Sequence, residues 1–457
     1  MSGSEKERAR SEGGGFSRLV SSPAFKFIIL GVLTLVLMIP LLLVYLIVDE
    51  RQSYSRQAVN EVGRKWGREQ AFHGPYMVIP MDRTVERTDR QGNKSSYREV
   101  KYAVLLPKVL NIKSDVQAKE LQRGIYDVPV YKTQVSYSGK FEPADLEQFR
   151  RDRFELRVNE AVFTVLISDV RGIKKTTDVM IGTKASTFQA GVGIKGQRTN
   201  GVHIPLSSEQ LSDGFEFKFE LPVNGTKHLL FEPSGAETKL DMSSNWPHPS
   251  FTGNFLPNER DISAQGFKAD WHVPHLARGM GQSHTQTNIK KLMPNNLFGV
   301  QFYQPVGFYD LVSRALKYAV AFISAVFLMV YIMEVYVGRP IHWIQYVFVG
   351  FSLLIFYLVL LGLAEHIGFE FSYGLASTAT ALLVGLYTSS TLRSKAKGLV
   401  LGLLILMIYG LLYLLLRVED YALLIGSLAG FAMLSGVMYM TRNVDWSGYQ
   451  SESNRES

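Results

Sequence analysis

The chain has 457 residues, 46% of them hydrophobic, and carries 49 Lys and Arg against 41 Asp and Glu, a formal charge of +8. The cationic excess forms no dense basic block, and acidic residues are interleaved with it, which excludes nucleic acid as the expected partner. With no cysteine in the chain, disulfides, thiolate metal sites and cysteine nucleophiles are ruled out.

Residues 1–24 are rich in Ser, Gly, Lys, Arg and Glu and read as a disordered tail. The triplet Gly13-Gly14-Gly15 precedes no strand–helix unit, so it cannot cradle a phosphate. A transmembrane helix is expected over 25–48, where Phe27 to Val48 holds no charged residue and exceeds the roughly 20 apolar residues a bilayer core requires. The run is too long for a signal-peptide core, and Leu46-Ile47-Val48-Asp49-Glu50 offers no small-residue cleavage site. It reads as an uncleaved anchor whose Pro40 is tolerated within a bundle.

Residues 49–312 form a polar insert. Its first part continues the anchor helix: Tyr54, Ala58, Val62 and Trp66 are spaced by four and lay an apolar stripe along one face. Short runs rich in Val, Ile, Phe and Tyr then predict strands at Tyr76–Ile79, Val100–Leu106, Tyr131–Tyr137, Ala161–Ile167, Phe215–Leu221 and Phe298–Tyr303. Phe215 to Leu221 alternates strictly, as a sheet with one wet face requires. Asn224-Gly225 before Lys227–Phe231 reads as a hairpin turn, and Pro143–Arg151 as a short helix. The expected class is a large, mainly antiparallel, sandwich-like β domain.

Five further apolar runs follow within 313–441, at Leu316–Val337, Trp343–Leu363, Phe371–Leu392, Leu399–Leu416 and Tyr421–Met440, with a polar tail at 442–457. The loops between them are too short for domains, so a five-helix bundle joined by the first span is expected: six transmembrane helices in all. Lys and Arg mark alternate loops. Lys6, Arg8, Arg10, Arg18 and Lys26 precede the first span, and Arg339, then Arg393, Lys395 and Lys397, then Arg442 follow on the same side. The opposite loops hold Glu365, His366 and Glu370, then Arg417, Glu419 and Asp420. The bias places both termini in the cytoplasm and the β domain outside it.

Chemical motifs are scarce. There is no G-x-S-x-G elbow, P-loop, dinucleotide fingerprint or H-E-x-x-H. His272-x-x-His275, with His248 and His284 near in sequence, is a weak metal signal because Pro274 interrupts any helix that would align the pair. The stretch Asn245, Trp246, Pro247, His248, Pro249 is the most unusual of the insert: two prolines hold an extended chain around the histidine. It reads either as a recognition loop or as a rigid crossover whose aromatics, Trp246 and Phe251, plug a core. Inside the spans Glu334 is the only carboxylate, near a cytoplasmic end, where it is expected to pair with Arg339 or to snorkel. Glu365 and His366 mark the opposite side, and Gly426 and Gly430 suggest close helix packing.

Four strings stand out in the insert: Trp66-Gly67-Arg68-Glu69-Gln70 with Gly74-Pro75, Ser168-Asp169-Val170-Arg171-Gly172, Gly201-Val202-His203-Ile204-Pro205-Leu206 and Ser244-Asn245-Trp246-Pro247-His248-Pro249-Ser250-Phe251. Three more lie at the ends of the spans: Arg314-Ala315-Leu316-Lys317-Tyr318, Ile341-His342-Trp343-Ile344-Gln345-Tyr346 and Glu365-His366-Ile367-Gly368-Phe369. Together they resemble the CreD family of inner-membrane proteins, also called the cell envelope integrity family, over Pro23 to Trp446. Ala364 and Trp343 stand where the family often has Ser and Pro. The resemblance implies a non-enzymatic protein of the bacterial inner membrane, without cofactor, linked to envelope integrity, colicin tolerance and the response to cell-wall stress and β-lactams. The implied partners are the lipid bilayer and periplasmic or envelope proteins or peptidoglycan; no catalytic or ligand site transfers. Two alternatives remain open: a transporter or channel gated by the external domain, and a hydrolase using His203 or His248.

Overall fold

The computed structural model describes residues 23–88, 94–150, 154–279, 281–289, 296–302, 307–418 and 421–442. The expected tails lie outside the described residues except at Pro23, Ala24 and Arg442, as do Arg151, Tyr303, Glu419 and Asp420. The chain divides into two units, Ser55–Pro305 and the pair Met1–Tyr54 with Val306–Ser457.

Among the described residues, six helices are long and apolar enough to cross a membrane. These are α1 (Pro23–Trp66), α2 (Phe308–Val337), α3 (Trp343–Ile367), α4 (Phe369–Thr391), α5 (Lys395–Arg417) and α6 (Ala422–Thr441). They match the six expected spans, and α1 continues past its apolar run as predicted. Exposed Leu, Phe and Ile cover the outer faces, as lipid contact demands. Close packing is carried by Gly398 and not by the predicted Gly426 and Gly430. A Cβ on Gly398 would fall 2.6 Å from the Gly385 carbonyl oxygen, whereas Gly430 has nothing within 4 Å. The spacing signal marks where helices can approach; whether a neighbour uses it is a tertiary matter.

The second unit is built from two sheets. In chain order its strands are β1 (Gln70–Thr88), β2 (Lys94–Leu105), β3 (Val109–Arg123), β4 (Tyr126–Phe141), β5 (Glu155–Leu156), β6 (Val162–Ile167), β7 (Asp178–Ile181), β8 (Lys184–Thr187) and β9 (Gln189–Ala190). There follow β10 (Gly201–Pro205), β11 (Phe215–Thr226), β12 (His228–Phe231), β13 (Glu237–Ser244), β14 (Pro249–Gly253), β15 (Glu259–Ser263), β16 (Gly266–Pro274), β17 (Ser283–Gln286) and β18 (Phe298–Phe302). The first sheet runs β14-β18-β12-β1-β6-β10-β9, with β2 and β5 also on β1 and β17 on β2; the second runs β15-β16-β13-β3-β4-β11-β7-β8. Pairing is antiparallel except for β1 with β12 and β3 with β13.

One apolar core joins the sheets face to face. Phe72 of β1 meets Tyr137 of β4 at 6.2 Å between ring centroids, and Phe163 of β6 meets Phe217 of β11 at 5.2 Å. In β11 the alternation seen in the sequence is realised: Phe215, Phe217, Phe219 and Leu221 are buried and Glu216, Lys218 and Glu220 exposed. All six residues of β6 are buried, because a second apolar cluster, including Val78, Val104 and Leu166, covers the other face of the first sheet. A strand covered on both faces reads as a continuous apolar run.

Two local expectations are corrected. Asn224-Gly225 is not a hairpin turn: β11 runs through it, pairing Asn224 with Lys132 and Gly225 with Tyr131. The glycine answers to packing, since a Cβ there would lie 2.3 Å from the Tyr131 hydroxyl oxygen. The chain then passes Lys227, in the left-handed region at φ 57°, and enters the first sheet as β12. The helix expected over Pro143–Arg151 is confined to Glu147–Arg150 among the described residues, where the Asp145 carboxylate accepts from the Glu147 N–H at 3.2 Å.

Candidate functional site

A cleft of the β unit, about 1160 Å³, lies where the last turns of α1, the start of β1, the 168–171 turn and the β11–β12 crossover meet. Its frame is fixed by sequence. α1 stops at Trp66 because Gly67 adopts φ 137°, where a Cβ would sit 2.4 Å from the Asn224 carbonyl oxygen. Arg64 and Lys65 in the last turn suit the negative end of the helix dipole. The Trp66 indole N–H donates to the Tyr131 carbonyl at 3.1 Å, and the Lys119 and Lys132 ammonium groups lie over its ring.

Beyond Gly67 the chain is bolted to the 168–171 turn. The Asp169 carboxylate, 5% exposed, accepts from the Arg68 N–H at 3.1 Å and from the Arg171 guanidinium at 2.8 and 2.9 Å. Burial pushes the Asp169 carboxyl up, but the hydrogen bonds from Arg171 and from two backbone N–H groups outweigh it and hold the group below its ordinary value. Gln70 is fully buried; its Nε2 donates to the carbonyls of Asp169 and Asn224, both at 3.1 Å. Its Oε1 has no hydrogen-bond partner among the described residues. Glu69 lies 3.4 Å from His228 Nδ1 and 3.5 Å from Lys227 Nζ. The His228 hydrogen bond, against the opposing effect of burial, draws its carboxyl below the usual range.

The charge of the cleft is unbalanced. Among the described residues, Arg64, Arg68, Arg171 and Lys227 line it with only Glu69 and Asp169 as carboxylates. Arg171 and Lys227 are paired, whereas the guanidinium groups of Arg64 and Arg68 have no ion-pair partner among the described residues. Two strings quoted for the family resemblance, Trp66–Gln70 and Ser168–Gly172, thus build one site. They stand about a hundred residues apart in sequence, and the β1–β6 pairing, Phe72 with Ile167, brings them together.

The residues singled out from sequence lie elsewhere. Asn245 to Pro249 link β13 of the second sheet to β14 of the first. The Asn245 amide accepts from the Ala118 N–H at 2.8 Å and donates to the Ala118 carbonyl at 3.0 Å, taking the place of a strand partner. Trp246 is 9% exposed and belongs to the inter-sheet core, Phe251 packs against it, and His248 is exposed. His203 Nδ1 lies 2.9 Å from the Gly191 carbonyl oxygen, and His272 Nε2 lies 2.6 Å from Glu237. In the helical unit Glu334 does not pair with Arg339. It accepts from Lys26 and from the Tyr346 hydroxyl, the latter at 2.7 Å. Gly338, in the left-handed region at φ 68°, ends α2 and carries Arg339 away; Arg339 instead donates to the Leu392 carbonyl at 3.3 Å. Glu365 accepts from the Tyr309 hydroxyl at 3.1 Å and lies 3.8 Å from Arg51, and His366 is exposed.

A polar group also sits inside the first sheet's outer core. The Tyr76 hydroxyl donates to Glu232, with His73 Nδ1 3.4 Å from the same carboxylate. The buried Arg278 donates to the carbonyls of Pro233 and Ser234. Burial pushes the Tyr76 phenol up and the Arg278 guanidinium down.

The model of the family described as Inner membrane protein CreD matches residues 22–447. Inner membrane protein CreD of Escherichia coli (strain K12) is 30% identical over 431 residues, covering 94% of this chain and 95% of that protein. With six helices long and apolar enough to cross a membrane and a match along nearly its whole length, this chain belongs to the CreD family of inner membrane proteins.

Proposed function

We propose that this protein is a non-enzymatic factor of envelope integrity whose β unit lies in the periplasm and contacts periplasmic or envelope proteins or peptidoglycan, with both termini cytoplasmic. The observation that carries the reading is the cleft of the β unit, built by family-resembling strings and holding two cations without ion-pair partners among the described residues. The alternation of Lys and Arg among the short loops supports the orientation. Tolerance of colicins and of cell-wall stress, including β-lactams, belongs to the same reading. A hydrolase has less in its favour, since His203 is engaged by a backbone carbonyl and His248 is exposed on a crossover. Transport has less as well, because Glu334 and Glu365 each face a cation and a tyrosine hydroxyl as helix-end ties and neither stands alone at mid-span.

The test is complementation in a strain that lacks the protein. A chain from which residues 70–305 are removed, with all spans retained and membrane insertion checked, is expected to leave the envelope defect uncorrected. Full correction by that truncated chain would sink the reading.

A further inference from the structure

Resting on the reading of the β unit as the part that contacts the envelope, we propose that its cleft binds a phosphorylated sugar. Four features of the cleft converge on that chemistry. The surplus of two positive charges, from four cations against two carboxylates among the described residues, matches a phosphate monoester, which carries close to two negative charges near neutral pH. Arg64 and Arg68 supply the match in the form best suited to it: planar guanidinium forks engage phosphate oxygens in pairs, and neither fork is committed to a carboxylate among the described residues.

The second feature asks for more than an anion. Gln70 is fully buried, lines the cleft, spends its amide N–H groups on Asp169 and Asn224, and leaves Oε1 unpaired among the described residues. A buried acceptor without a donor is costly, and a small shift of the Gln70 side chain toward the cleft it lines would offer Oε1 to a sugar hydroxyl. Third, the volume of about 1160 Å³ is somewhat above the roughly 300–1,000 Å³ typical of small-molecule sites and far beyond what a bare oxyanion fills. Fourth, Val59, Ala71, Leu230 and Leu297 give the cleft apolar walls, the surface against which the C–H face of a sugar ring packs. Lys227, held at φ 57° at the rim, is a strained residue of the kind that gathers at binding sites.

The test is calorimetric titration of the full-length protein in detergent with glucose 1-phosphate, with glucose and inorganic phosphate as comparisons. Saturable binding is expected, tighter than for either comparison and weakened by added salt. In the double variant Arg64→Gln/Arg68→Gln binding falls roughly tenfold or more. Both side chains are exposed and without an ion-pair partner among the described residues, so an unchanged melting temperature shows that the variant is folded. The single variant Arg68→Glu gives a second check, with loss of binding expected from charge reversal alone.

Absence of saturable glucose 1-phosphate binding overturns the assignment, as does equal affinity for inorganic phosphate or indifference to the arginine changes. Displacement of glucose 1-phosphate by phosphatidylglycerol nanodiscs, but not by other sugar phosphates, would assign the cleft to a lipid headgroup and also overturn it. The two readings fail separately. If the protein lacking residues 70–305 cannot correct the envelope defect and glucose 1-phosphate does not bind, only the ligand assignment falls. If glucose 1-phosphate binds while that truncated chain corrects the defect fully, the envelope reading falls instead.

Discussion

At the scale of single residues, Asn224-Gly225 teaches how a local signal is overridden. The dipeptide favours a tight turn, yet here Gly225 is a mid-strand residue on which the Tyr131 ring rests. The Tyr131 hydroxyl donates to the His228 carbonyl at 2.6 Å, so the ring cannot swing clear. Gly225→Ala is therefore expected to destabilise the β unit by about 1–3 kcal/mol through overpacking, read as a lower urea midpoint at unchanged slope; an unchanged midpoint would refute the packing account. His284 gives a second residue-scale test. Burial pushes its imidazole below the ordinary value, with Glu232 opposing and Arg278 adding to the effect. The folded chain thus holds that proton less tightly than the unfolded one. This contribution to stability is fully present above about pH 6.5 and is lost as pH falls below it. His284→Leu should flatten that acid limb, and stability curves of equal slope below pH 6.5 for both proteins would contradict the assignment. The site itself was half legible at this scale. Arg68 and Asp169 stand in strings already notable in the sequence, but no spacing rule links two strings a hundred residues apart, and Lys227 carries no local signal at all.

At the scale of elements, periodicity was a sound guide wherever one environment dominates. The six apolar runs became six helices because lipid leaves the backbone no other partner, and β11 alternated because one of its faces is wet. It was weaker where partners are supplied from elsewhere, as α1 shows. This helix is tied at Lys26 to Glu334 of α2 and at Arg51 to Glu365 of α3, positions separated by about 37 Å of helix at roughly 1.5 Å per residue. The separation slightly exceeds a hydrocarbon core of about 30 Å, so the two ion pairs bracket the apolar run at its ends, where charge is least costly. Reading α2 alone offers Arg339 as the partner of Glu334, since Lys26 lies 308 positions away. A double-mutant cycle tests the tie. Lys26→Met and Glu334→Gln should each destabilise the bundle, and together they should cost less than their sum, with a coupling of about 0.5–3 kcal/mol in detergent-unfolding measurements. Additive effects would remove Lys26 as the partner.

At the scale of the whole molecule, the functional reading turns on the side of the membrane to which the β unit is delivered, and charge in the short loops is the argument for that choice. Arg393, Lys395 and Lys397 cluster around the turn between α4 and α5 and Glu370 and His366 around that between α3 and α4, the pattern that retains the basic turn in the cytoplasm. With an even number of spans between them the two termini share a side, and the insert between the first two spans takes the other. The chain contains no cysteine, so a single introduced thiol reports its own position without background. Lys195 is suited to it, its side chain being 87% exposed and lying 3.7 Å from Glu160 in an ion pair of little expected consequence. In spheroplasts, Lys195→Cys should react with a membrane-impermeant maleimide at once, and Lys395→Cys only after the membrane is opened. The converse labelling would place the cleft in the cytoplasm, out of reach of every envelope component, and would do so whatever the cleft binds.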